Sequence, residues 1–596
     1  MNDRNSYIQD LITHVQKEYS QQLEQQTSQE LLSERALVAL GYAIDNLKVI
    51  KVTKKTIVLS TTQNESRFRP GDHLQFKNPE IKTFTGILTD LHLAGHQLVI
   101  STNSPPPQIG SYPWVATENT SNLVHSTISA LEKLQPGFSG WGFTQYLLGN
   151  PTIKPPLLTF PQIKPKTNPS NILSQLIEET NIPLDSSQQD AFLKCLNLPI
   201  STGIQGPPGT GKTLLLSFVA EGLQRMGKRV IIFAPTHQAI NTSLSMIHEL
   251  FPSRAVLKIG DKLRTDSLAP GIPILNDPKE LQDLSPDSII GMTFMSALQR
   301  IMIRERNPIN PHVVIIDESG QLPLSQGISS GLSGAGTILL FGDDRQMPPV
   351  FSTSSAEDPL AISIFSQLRN THPEDITMLN TTYRMNQELC DHISHTFYKD
   401  SLPPLIPHTT AKPRKLNPNL QNLSQNPDIQ KALSPSPSLI WIKVPTQKYL
   451  QYNPEEATLI SQIVTTILKA GYPPQEIAVV TPFRRQSMLI RNLVAKEIGT
   501  FDNLPIIDTV ERVQGATVDI VIVSFCASQP EYITSLSNFL FSPNRLNVSI
   551  SRARRKAIIV STPTILNVLP LDHEGLVGRN ICKELLENTK FFYYQQ

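Results

Sequence analysis

A glycine-rich segment near residue 210 is the clearest chemical signature in this chain. Gly206-Pro207-Pro208-Gly209-Thr210-Gly211-Lys212-Thr213 fits the pattern G-x-x-x-x-G-K-[ST], and the residues after it can continue as a helix. Glycines let backbone N–H groups curl around phosphate oxygens, and a following helix presents its positive end. Lys212 then bridges the terminal phosphates and the Thr213 hydroxyl ligates Mg²⁺. The segment therefore predicts an ATP site with a magnesium ion.

An acidic pair downstream supplies what such a site needs for hydrolysis. Val313 to Ile316 form a predicted buried strand that ends in Asp317 and Glu318. At the phosphate edge of a sheet, Asp317 can hold Mg²⁺, and Glu318 can orient and deprotonate the attacking water. An acidic pair after a strand is by itself more often a solvated loop. Its place after a phosphate loop favours the active-site interpretation.

Alternating strands and helices must position these groups. Apolar runs that end in polar residues recur from about residue 180, as RVIIFAP, HVVIIDES and TILLFGD, and again as LIWIKV, EIAVVTP, DIVIVSF and KAIIVS. The pattern predicts an α/β fold with two such domains in tandem, over residues 171–375 and 376–596. A proline-rich, low-order loop is expected at 403–438.

The front of the chain follows different periodicities. Helical spacing predicts a helical segment over 1–46, and short strand-like runs with a turn at 69–72 and a proline cluster at 105–107 predict a small β-barrel over 47–120. A further helix and a proline-rich linker should occupy 121–170. A barrel with a purely structural role remains an equal alternative, because a fold does not give a function.

Composition limits the class of protein. The chain has 596 residues, which implies several cores, and 52 basic against 51 acidic residues, so bulk charge identifies no partner. The four cysteines show no metal-binding or disulfide pattern, which favours a reducing compartment. Because no run of about 18 apolar residues occurs, we expect no membrane partner and a cytoplasmic location.

The ordered motifs from about residue 180 to 565 resemble the superfamily 1B helicases, AAA-type P-loop NTPases related to the nonsense-mediated-decay RNA helicase and the immunoglobulin-switch-region DNA helicase. Residues 317–321, DESGQ, are similar to motif II, and residues 342–349, GDDRQMPP, to motif III. The pair Pro348-Pro349 is typical of the branch that moves 5′-to-3′. The resemblance implies two tandem RecA-like P-loop NTPase domains preceded by a helical stalk and a small accessory β-barrel.

The same resemblance implies contacts to the nucleotide. Gln188, in LDSSQQDA, would read the adenine edge, which suits an amide that offers both donor and acceptor, and Tyr383, in LNTTYRMN, would stack on adenine. Gln514 and Gly515 carry over from motif V. The family commonly continues Gln-Gly-x-Glu, whereas Thr517 stands here at the position of that Glu. A ribose contact is therefore not carried over to Thr517.

Catalytic roles are likewise implied by the family's motifs. Gln346 would sense the γ-phosphate, and Arg384 and Arg552 would be arginine fingers, acting together with Glu318. Arginines supplied across a cleft make hydrolysis depend on domain closure. A surface arginine with no function is the usual alternative for a single Arg, but two in matched motifs disfavour it.

Four segments are similar to the family's nucleic-acid-contacting segments. They contain Pro235, Thr236 and His237; Thr293; Pro482 and Phe483; and Thr509. Phe483 could stack on a base. For any one of these residues, an ordinary loop at the end of a strand is an equal alternative.

These observations predict an ATP-dependent helicase or translocase that moves 5′-to-3′ along single-stranded DNA or RNA and unwinds duplex. A monomer is expected. The motifs leave the choice between DNA and RNA open. Two other classes stay open. A nucleic-acid-stimulated clamp or remodeller would use the same motifs with little unwinding, whereas a small-molecule kinase would not need Arg384 and Arg552 on a second domain.

Overall fold

The computed structural model describes residues 2–30, 37–38, 42–53, 56–62, 66, 68, 73–78, 83–92, 97–102, 113–118, 123–137, 140–149, 168–260, 264–265, 267–276, 288–303, 309–351, 358–446 and 448–594. The predicted turn at 69–72, the proline cluster at 105–107 and most of the predicted linker, residues 151–167, lie outside these residues. The chain forms two compact units, one of Met1–Val15, Ser126–Gly499 and Asn503–Gln596, and one of Gln16–His125 and Thr500–Asp502.

The smaller unit contains a closed antiparallel barrel. Its strands, in the order β1-β2-β5-β4-β3-β6, are β1 Ala43–Val52, β2 Thr56–Ser60, β3 His73–Lys77, β4 Phe84–His92, β5 Gln97–Ser101 and β6 Trp114–Glu118. Burial alternates along β2 and β5, as expected of strands with one face in a core. β1 begins earlier than the predicted boundary at residue 47, because Ala43 and Ile44 pair with β6 and are buried. These apolar residues had fitted a helical pattern equally well.

In the described part of the chain, four helices lie before residue 181. They are α1 Asn2–Glu30, α2 Leu123–Lys133, α3 Trp141–Leu147 and α4 Pro169–Thr180. The predicted apolar stripe at the start of α1 is real, since Ile8, Leu11, Ile12 and Val15 are buried. Most of the predicted second helical run, residues 31–36 and 39–41, lies outside the described residues.

The first large sheet has eight parallel strands in the order β10-β9-β11-β8-β12-β13-β7-β14. They are β7 Ser201–Gln205, β8 Val230–Ala234, β9 Val256–Ile259, β10 Ile274–Leu275, β11 Ile289–Thr293, β12 Val313–Ile316, β13 Thr337–Gly342 and β14 Ile376–Met378. The helices of this domain are α5 Ser186–Leu196, α6 Lys212–Arg225, α7 His237–Leu250, α8 Phe294–Ala297, α9 Leu324–Gly327 and α10 Ile364–Thr371. β14 pairs with β7, so the sheet extends past the predicted domain boundary at residue 375.

The central strands of this sheet are buried along their length, which explains their continuous apolar sequences. Every residue of β7, β8, β11, β12 and β13 is buried. Parallel sheets covered by helices on both faces require such runs. Because all strands point the same way, the residues that follow β7, β12 and β13 meet at one edge.

A second parallel sheet follows a two-stranded ribbon of β15 Thr381–Thr382 and β16 Ile406–Pro407. Its order is β19-β18-β20-β21-β17-β22, with β17 Leu439–Lys443, β18 Ile477–Thr481, β19 Ile506–Thr509, β20 Val518–Ser524, β21 Ala553–Ser561 and β22 Lys590–Tyr593. Its helices are α11 Gln387–Phe397, α12 Pro427–Ala432, α13 Pro454–Lys469, α14 Arg484–Ile498, α15 Val510–Val513, α16 Pro530–Ser535, α17 Ser537–Leu540, α18 Pro543–Ile550 and α19 His573–Glu587. Single turns of 3-10 or π helix lie at Leu298–Met302, Ser319–Gln321, Ile328–Ser333, Pro373–Asp375, Pro418–Leu423, Pro474–Glu476 and Pro563–Leu566.

The prediction of a low-order loop over 403–438 is wrong. Leu420, Ile429 and Leu433 are buried in the core that contains β17. Pro418 and Pro427 begin short helical segments that are capped by the preceding asparagines. Proline is favoured at the first position of a helix, so these prolines start structure rather than interrupt it.

Among the described residues, no helix is both long enough and apolar enough to cross a membrane.

Candidate nucleotide site and nucleic-acid face

The phosphate loop connects β7 to α6 through residues that only glycine can occupy. Gly209 and Gly211 both have φ near +76°, the left-handed region that favours glycine. The Gly206 N–H donates to the Gly342 carbonyl at 2.9 Å, which ties the loop to the end of β13. A Cβ at Gly209 would lie 2.4 Å from Cβ of Arg384. The loop is thus closely packed against the segment that contains Arg384.

Lys212, the first residue of α6, lies between the two predicted carboxylates. Its Nζ is 2.6 Å from Oε1 of Glu318 and 3.2 Å from Oδ1 of Asp317. Burial alone would lower the pKa of Lys212, but the two carboxylates raise it above its ordinary value. Burial likewise opposes ionisation of Glu318, and Lys212 more than compensates, so the pKa of Glu318 is lowered. The three groups therefore stabilise one another as ions.

Further hydrogen bonds fix the two carboxylates. The Ser243 hydroxyl, on α7, donates to Oδ2 of Asp317 at 2.9 Å, and the Gln321 amide donates to Oε2 of Glu318 at 2.8 Å. Glu318 has φ of 52°, an uncommon backbone conformation for a residue with a side chain. Such strained residues cluster at functional sites. Thr213, in the first turn of α6, is half-buried beside them.

The segment from Thr381 to Arg384 lies between the two large sheets rather than inside the second domain. The Thr382 hydroxyl donates to the Pro208 carbonyl at 2.8 Å, and the Tyr383 N–H donates to the Gly209 carbonyl at 2.8 Å. β14 just before it belongs to the first sheet. This segment therefore binds the second half of the chain to the phosphate loop through hydrogen bonds.

Two arginines of the second half reach this cleft. The Arg384 guanidinium donates to the Ser551 carbonyl at 3.0 Å, and Arg552 Nη2 donates to Oε1 of Gln346 at 3.1 Å. Burial and the neighbouring positive charges of Arg552 and Arg554 hold the pKa of Arg384 well below its ordinary value. Burial lowers the pKa of Arg552 to about 10, although Glu318 opposes this. Positive charge in this cleft is therefore incompletely compensated.

Gln346 belongs to a buried network that joins the two domains. Its amide donates to Oδ2 of Asp343 at 2.7 Å and lies 3.3 Å from the Gly206 carbonyl oxygen. The Tyr398 hydroxyl donates to the same Asp343 oxygen at 2.6 Å and accepts from the Asn547 amide at 3.0 Å. Gln346 therefore contacts the phosphate loop, Arg552 and this network at once.

The two residues expected at the adenine also bind groups within the protein. Gln188 forms a capping box with Asp185, and its amide donates to the Thr210 carbonyl at 3.0 Å. The Tyr383 hydroxyl donates to Asp185 at 3.0 Å, and its ring stacks on His408 with centroids 4.6 Å apart. The structure thus gathers Gln188 and Tyr383 around Asp185, next to the phosphate loop.

The other residues predicted to bind ATP, Gln514 and Gly515, lie away from the phosphate loop. Gln514 is half-buried after α15, and no described hydrogen bond joins it to the phosphate loop. Gly515 is exposed with φ of 88°, and a Cβ there would lie 3.8 Å from the Gln238 amide nitrogen on α7. Thr517 is exposed. This motif therefore faces the loop that begins α7 rather than Lys212.

The predicted nucleic-acid residues follow strand ends at the carboxyl edges of the two sheets. In the first domain, the Thr236 side chain accepts from Ala239 N–H and caps α7, between half-buried Pro235 and His237, while Thr293 caps α8. In the second domain, Pro482 and Phe483 follow β18, and Thr509 ends β19 and is buried. Phe483 is partly buried and stacks on Phe539, with centroids 5.6 Å apart.

Several residues of this site were not singled out from the sequence. They are Ser243, Asp343, Tyr398 and Asn547. Asp343 lies inside motif III, and Asn547 lies five residues before Arg552 in the segment 545–554 that is similar to the family's motif VI, so these positions were an available signal. Ser243 and Tyr398 are brought in by helix packing, and nothing in their local sequence marks them.

Comparisons with known proteins agree with this arrangement. Two family models, both described as AAA domain, match residues 183–397 and 360–564. The DNA replication ATP-dependent helicase/nuclease JHS1 of Arabidopsis thaliana is 27% identical over 404 residues, covering 65% of this chain and 29% of that protein. Regulator of nonsense transcripts 1 of Dictyostelium discoideum is 27% identical over 481 residues, covering 71% of this chain and 33% of that protein.

The chain thus spans about a third of the length of these relatives. A solved arterivirus helicase, nonstructural protein 10, aligns over 89% of this chain and 80% of its own with 12% identity and a TM-score of 0.37. The fold assignment rests on the strand order of the two parallel sheets. Over residues 183–564, the chain is thus similar to AAA-domain proteins, and its curated relatives include an ATP-dependent helicase/nuclease.

Proposed function

We propose that the protein hydrolyses ATP to move along single-stranded nucleic acid and to separate strands. The observation that supports this most directly is the division of the site between two domains. The first supplies Lys212 and Glu318, and the second half supplies Arg384 and Arg552, with Gln346 in contact with Arg552. Hydrolysis in such a site depends on how the domains are placed, as a motor requires.

Binding of the ATP phosphates would first change the partners of Lys212. Its ammonium now neutralises Asp317 and Glu318, and a γ-phosphate would compete for it. Once Lys212 turns to phosphate, the pKa of Glu318 rises toward the range of a general base. Glu318, which the Gln321 amide holds in position, could then accept the proton of the attacking water.

The donors present fit a magnesium ion. Asp317 is buried beside Lys212 and the half-buried Thr213, which together offer the carboxylate and hydroxyl oxygens that Mg²⁺ prefers. The ion would neutralise negative charge that develops on the phosphate oxygens.

The arginines would stabilise the transition state. Burial lowers the pKa of both Arg384 and Arg552, and the charges of Arg552 and Arg554 lower that of Arg384 further. A developing negative charge on the phosphoryl oxygens relieves this cost. Binding energy that is realised in the transition state accelerates the chemical step.

Gln346 would pass the state of the nucleotide to the nucleic-acid face. It contacts the Gly206 carbonyl on one side and Arg552 on the other, so loss of the γ-phosphate alters both contacts. The pair Pro348-Pro349 supports movement in the 5′-to-3′ direction by resemblance to the family. A monomeric state and a cytoplasmic location stay predictions.

The decisive experiment measures steady-state ATP hydrolysis without nucleic acid, with single-stranded DNA and with single-stranded RNA, at matched length and salt, because salt strongly shifts such binding. A strand-displacement assay on a 5′-tailed and a 3′-tailed duplex follows. We expect stimulation by at least one polymer, unwinding of the 5′-tailed duplex and no turnover by Lys212→Ala. Equal rates in all three conditions would contradict the proposal. Stimulated hydrolysis without strand separation would favour a clamp or remodeller of nucleoprotein.

A further inference from the structure

A group of aromatic and basic residues lies beside the predicted nucleic-acid segment that contains Phe483, at the carboxyl edge of the second sheet. We define the basic-aromatic patch as Lys448, Tyr449, Tyr452 and Arg485. The first three follow β17, and Arg485 lies in the first turn of α14, just after β18. The carboxyl ends of parallel strands are where such sheets bind ligands.

The patch is built from cations placed over two tyrosine rings, of which Tyr452 is exposed and Tyr449 is half-buried. The Arg485 guanidinium carbon is 4.9 Å from the Tyr452 ring centroid, and Lys448 Nζ is 5.2 Å from that of Tyr449. The two tyrosine rings are 6.3 Å apart. Tyr452 is 40% exposed, and Lys448 and Arg485 are also exposed. In the part of the chain that the structure describes, neither cation pairs with a carboxylate.

The loop that carries the patch is held firmly at its base. The Ser528 hydroxyl accepts from the Tyr449 N–H at 3.0 Å, and the Ser528 N–H donates back to the Tyr449 carbonyl at 2.9 Å. Asn453 caps α13 and is bound to Gln486, which in turn binds Ser524. The rings are therefore presented from a fixed backbone, which lowers the entropic cost of binding a ligand.

The patch continues into the face that contains Phe483. Tyr532 hydrogen-bonds to Gln451 of the same loop, and its ring lies 6.2 Å from that of Phe483. Tyr532 thus contacts Phe483 with its ring and the loop that carries Tyr452 with its hydroxyl. A row of stacking surfaces flanked by unpaired cations suits a polymer that has flat bases and a phosphate backbone.

We propose that the basic-aromatic patch is an additional binding site for single-stranded nucleic acid, in which a base stacks on Tyr452 and backbone phosphates contact Lys448 and Arg485. The proposal rests on the proposed motor function and extends its track beyond the motifs. Stacking on an aromatic face tolerates any base, so the site would grip the strand without selecting its sequence.

The experiment compares two strands that differ only in their bases. Binding of oligothymidylate, or of oligouridylate where ATP hydrolysis responds only to RNA, is measured by fluorescence anisotropy beside an abasic sugar-phosphate strand of equal length. We expect Tyr452→Ala to weaken binding of the base-bearing strand about tenfold and to leave the abasic strand unaffected. Tyr452→Phe, which keeps the ring, should retain wild-type affinity.

Charge is tested separately. Lys448→Ala should weaken both strands and reduce the salt dependence of binding by about one phosphate contact, a slope change of about 0.7. The control is Lys469→Ala, an exposed lysine at the far end of α13, which should change neither strand. Folding of each variant is checked by thermal unfolding.

Two results would overturn the site: unchanged binding of the base-bearing strand by Tyr452→Ala, or equal losses on both strands. Failure of the motor function has a different signature. In that case the wild-type protein shows no strand-stimulated ATP hydrolysis, whatever the ratio between the base-bearing and abasic strands.

Discussion

The two RecA-like domains share a parallel sheet but bring opposite charges to the nucleotide cleft. The first places Asp317 and Glu318 at its edge and neutralises them with its own Lys212. The second half contributes Arg384 and Arg552, whose side-chain partners in the structure are a carbonyl or an amide oxygen. The first domain is thus arranged to bind phosphate by itself, whereas the second contributes charge that only an anion in the cleft can compensate.

This difference indicates a division of labour. Because Lys212, Asp317 and Glu318 all belong to the first domain, that domain can bind nucleotide while the second domain moves. Hydrolysis, in contrast, requires the arginines, and so it requires closure.

The largest effect is expected from Arg552→Ala. The first domain keeps its Lys212 and carboxylates, so ATP binding should change little, while kcat for hydrolysis should fall about 10³- to 10⁵-fold. Nucleotide affinity and single-turnover hydrolysis separate the two quantities. The control is Lys469→Ala, an exposed lysine at the end of α13 that lies outside the site motifs. A variant that loses ATP binding and keeps its turnover at saturation would contradict the division.

A glycine comparison tests the contact between the phosphate loop and the second half of the chain. Gly209→Ala places a Cβ 2.4 Å from Arg384 and 2.8 Å from the Thr382 hydroxyl. Gly227 has a similar φ of 72°, but a Cβ there meets nothing within 4 Å. Both substitutions should cost about 1–2 kcal/mol of stability from the left-handed backbone. Only Gly209→Ala should also lower the rate of hydrolysis.

Thermal unfolding and steady-state hydrolysis of the two glycine variants provide the measurement. Equal hydrolysis rates after correction for the folded fraction would show that hydrolysis does not require the close approach of Gly209 to Arg384. A specific loss in Gly209→Ala would establish that Arg384 is positioned through its packing on the loop.

The network across the domains should give a smaller effect. Tyr398→Phe removes a hydrogen bond to buried Asp343 and another from Asn547, at a cost of about 1–3 kcal/mol. Because Gln346 also binds Asp343, we expect about a tenfold loss of nucleic-acid stimulation with little change in the unstimulated rate. The ratio of the two rates measures this. A fall in both rates by the same factor would indicate a role in stability only.

The sequence predicted the contiguous parts of the site well, because a phosphate loop or an acidic pair at a strand end is local. The grouping of Lys212 with Asp317 and Glu318 follows from the strand directions alone. Ser243 and Tyr398 could not be predicted, since helix packing brings them to the site. The segment 403–438 was misjudged because its prolines begin helical turns and its apolar residues fill a core.

The boundary between the two domains also could not be predicted from local sequence. β14 is only three residues long and belongs to the first sheet, although its sequence looks like the start of the second domain. Pairing with β7 decides its place, and pairing between distant segments leaves little trace in local sequence.

Two glutamates give the most sensitive comparison between the domains. Lys212 lowers the pKa of Glu318, whereas Glu456, in the second domain, has no such cation. Glu456 is fully buried and accepts from Ser524 Oγ at 2.7 Å and from the Cys526 N–H at 3.0 Å. Burial outweighs these hydrogen bonds and raises its pKa to about 8. The same residue type is therefore a charged group in one domain and a neutral one in the other.

Stability should depend on pH in a way that identifies this group. The folded-state pKa of Glu456 lies above its unfolded value of 4.5, so its contribution is fully present below that value and is lost as pH rises through about 8. The stability of wild type relative to Glu456→Gln should therefore decline with pH across that window, by at most about 1.4 kcal/mol per pH unit. The pKa of Glu318 is lowered, so wild type relative to Glu318→Gln should change little over the upper part of the same window. Chemical unfolding of the three proteins across neutral pH provides the comparison. A difference that stays constant for Glu456→Gln would mean that the hydrogen-bond donors around Glu456 hold it ionised, as Lys212 does for Glu318.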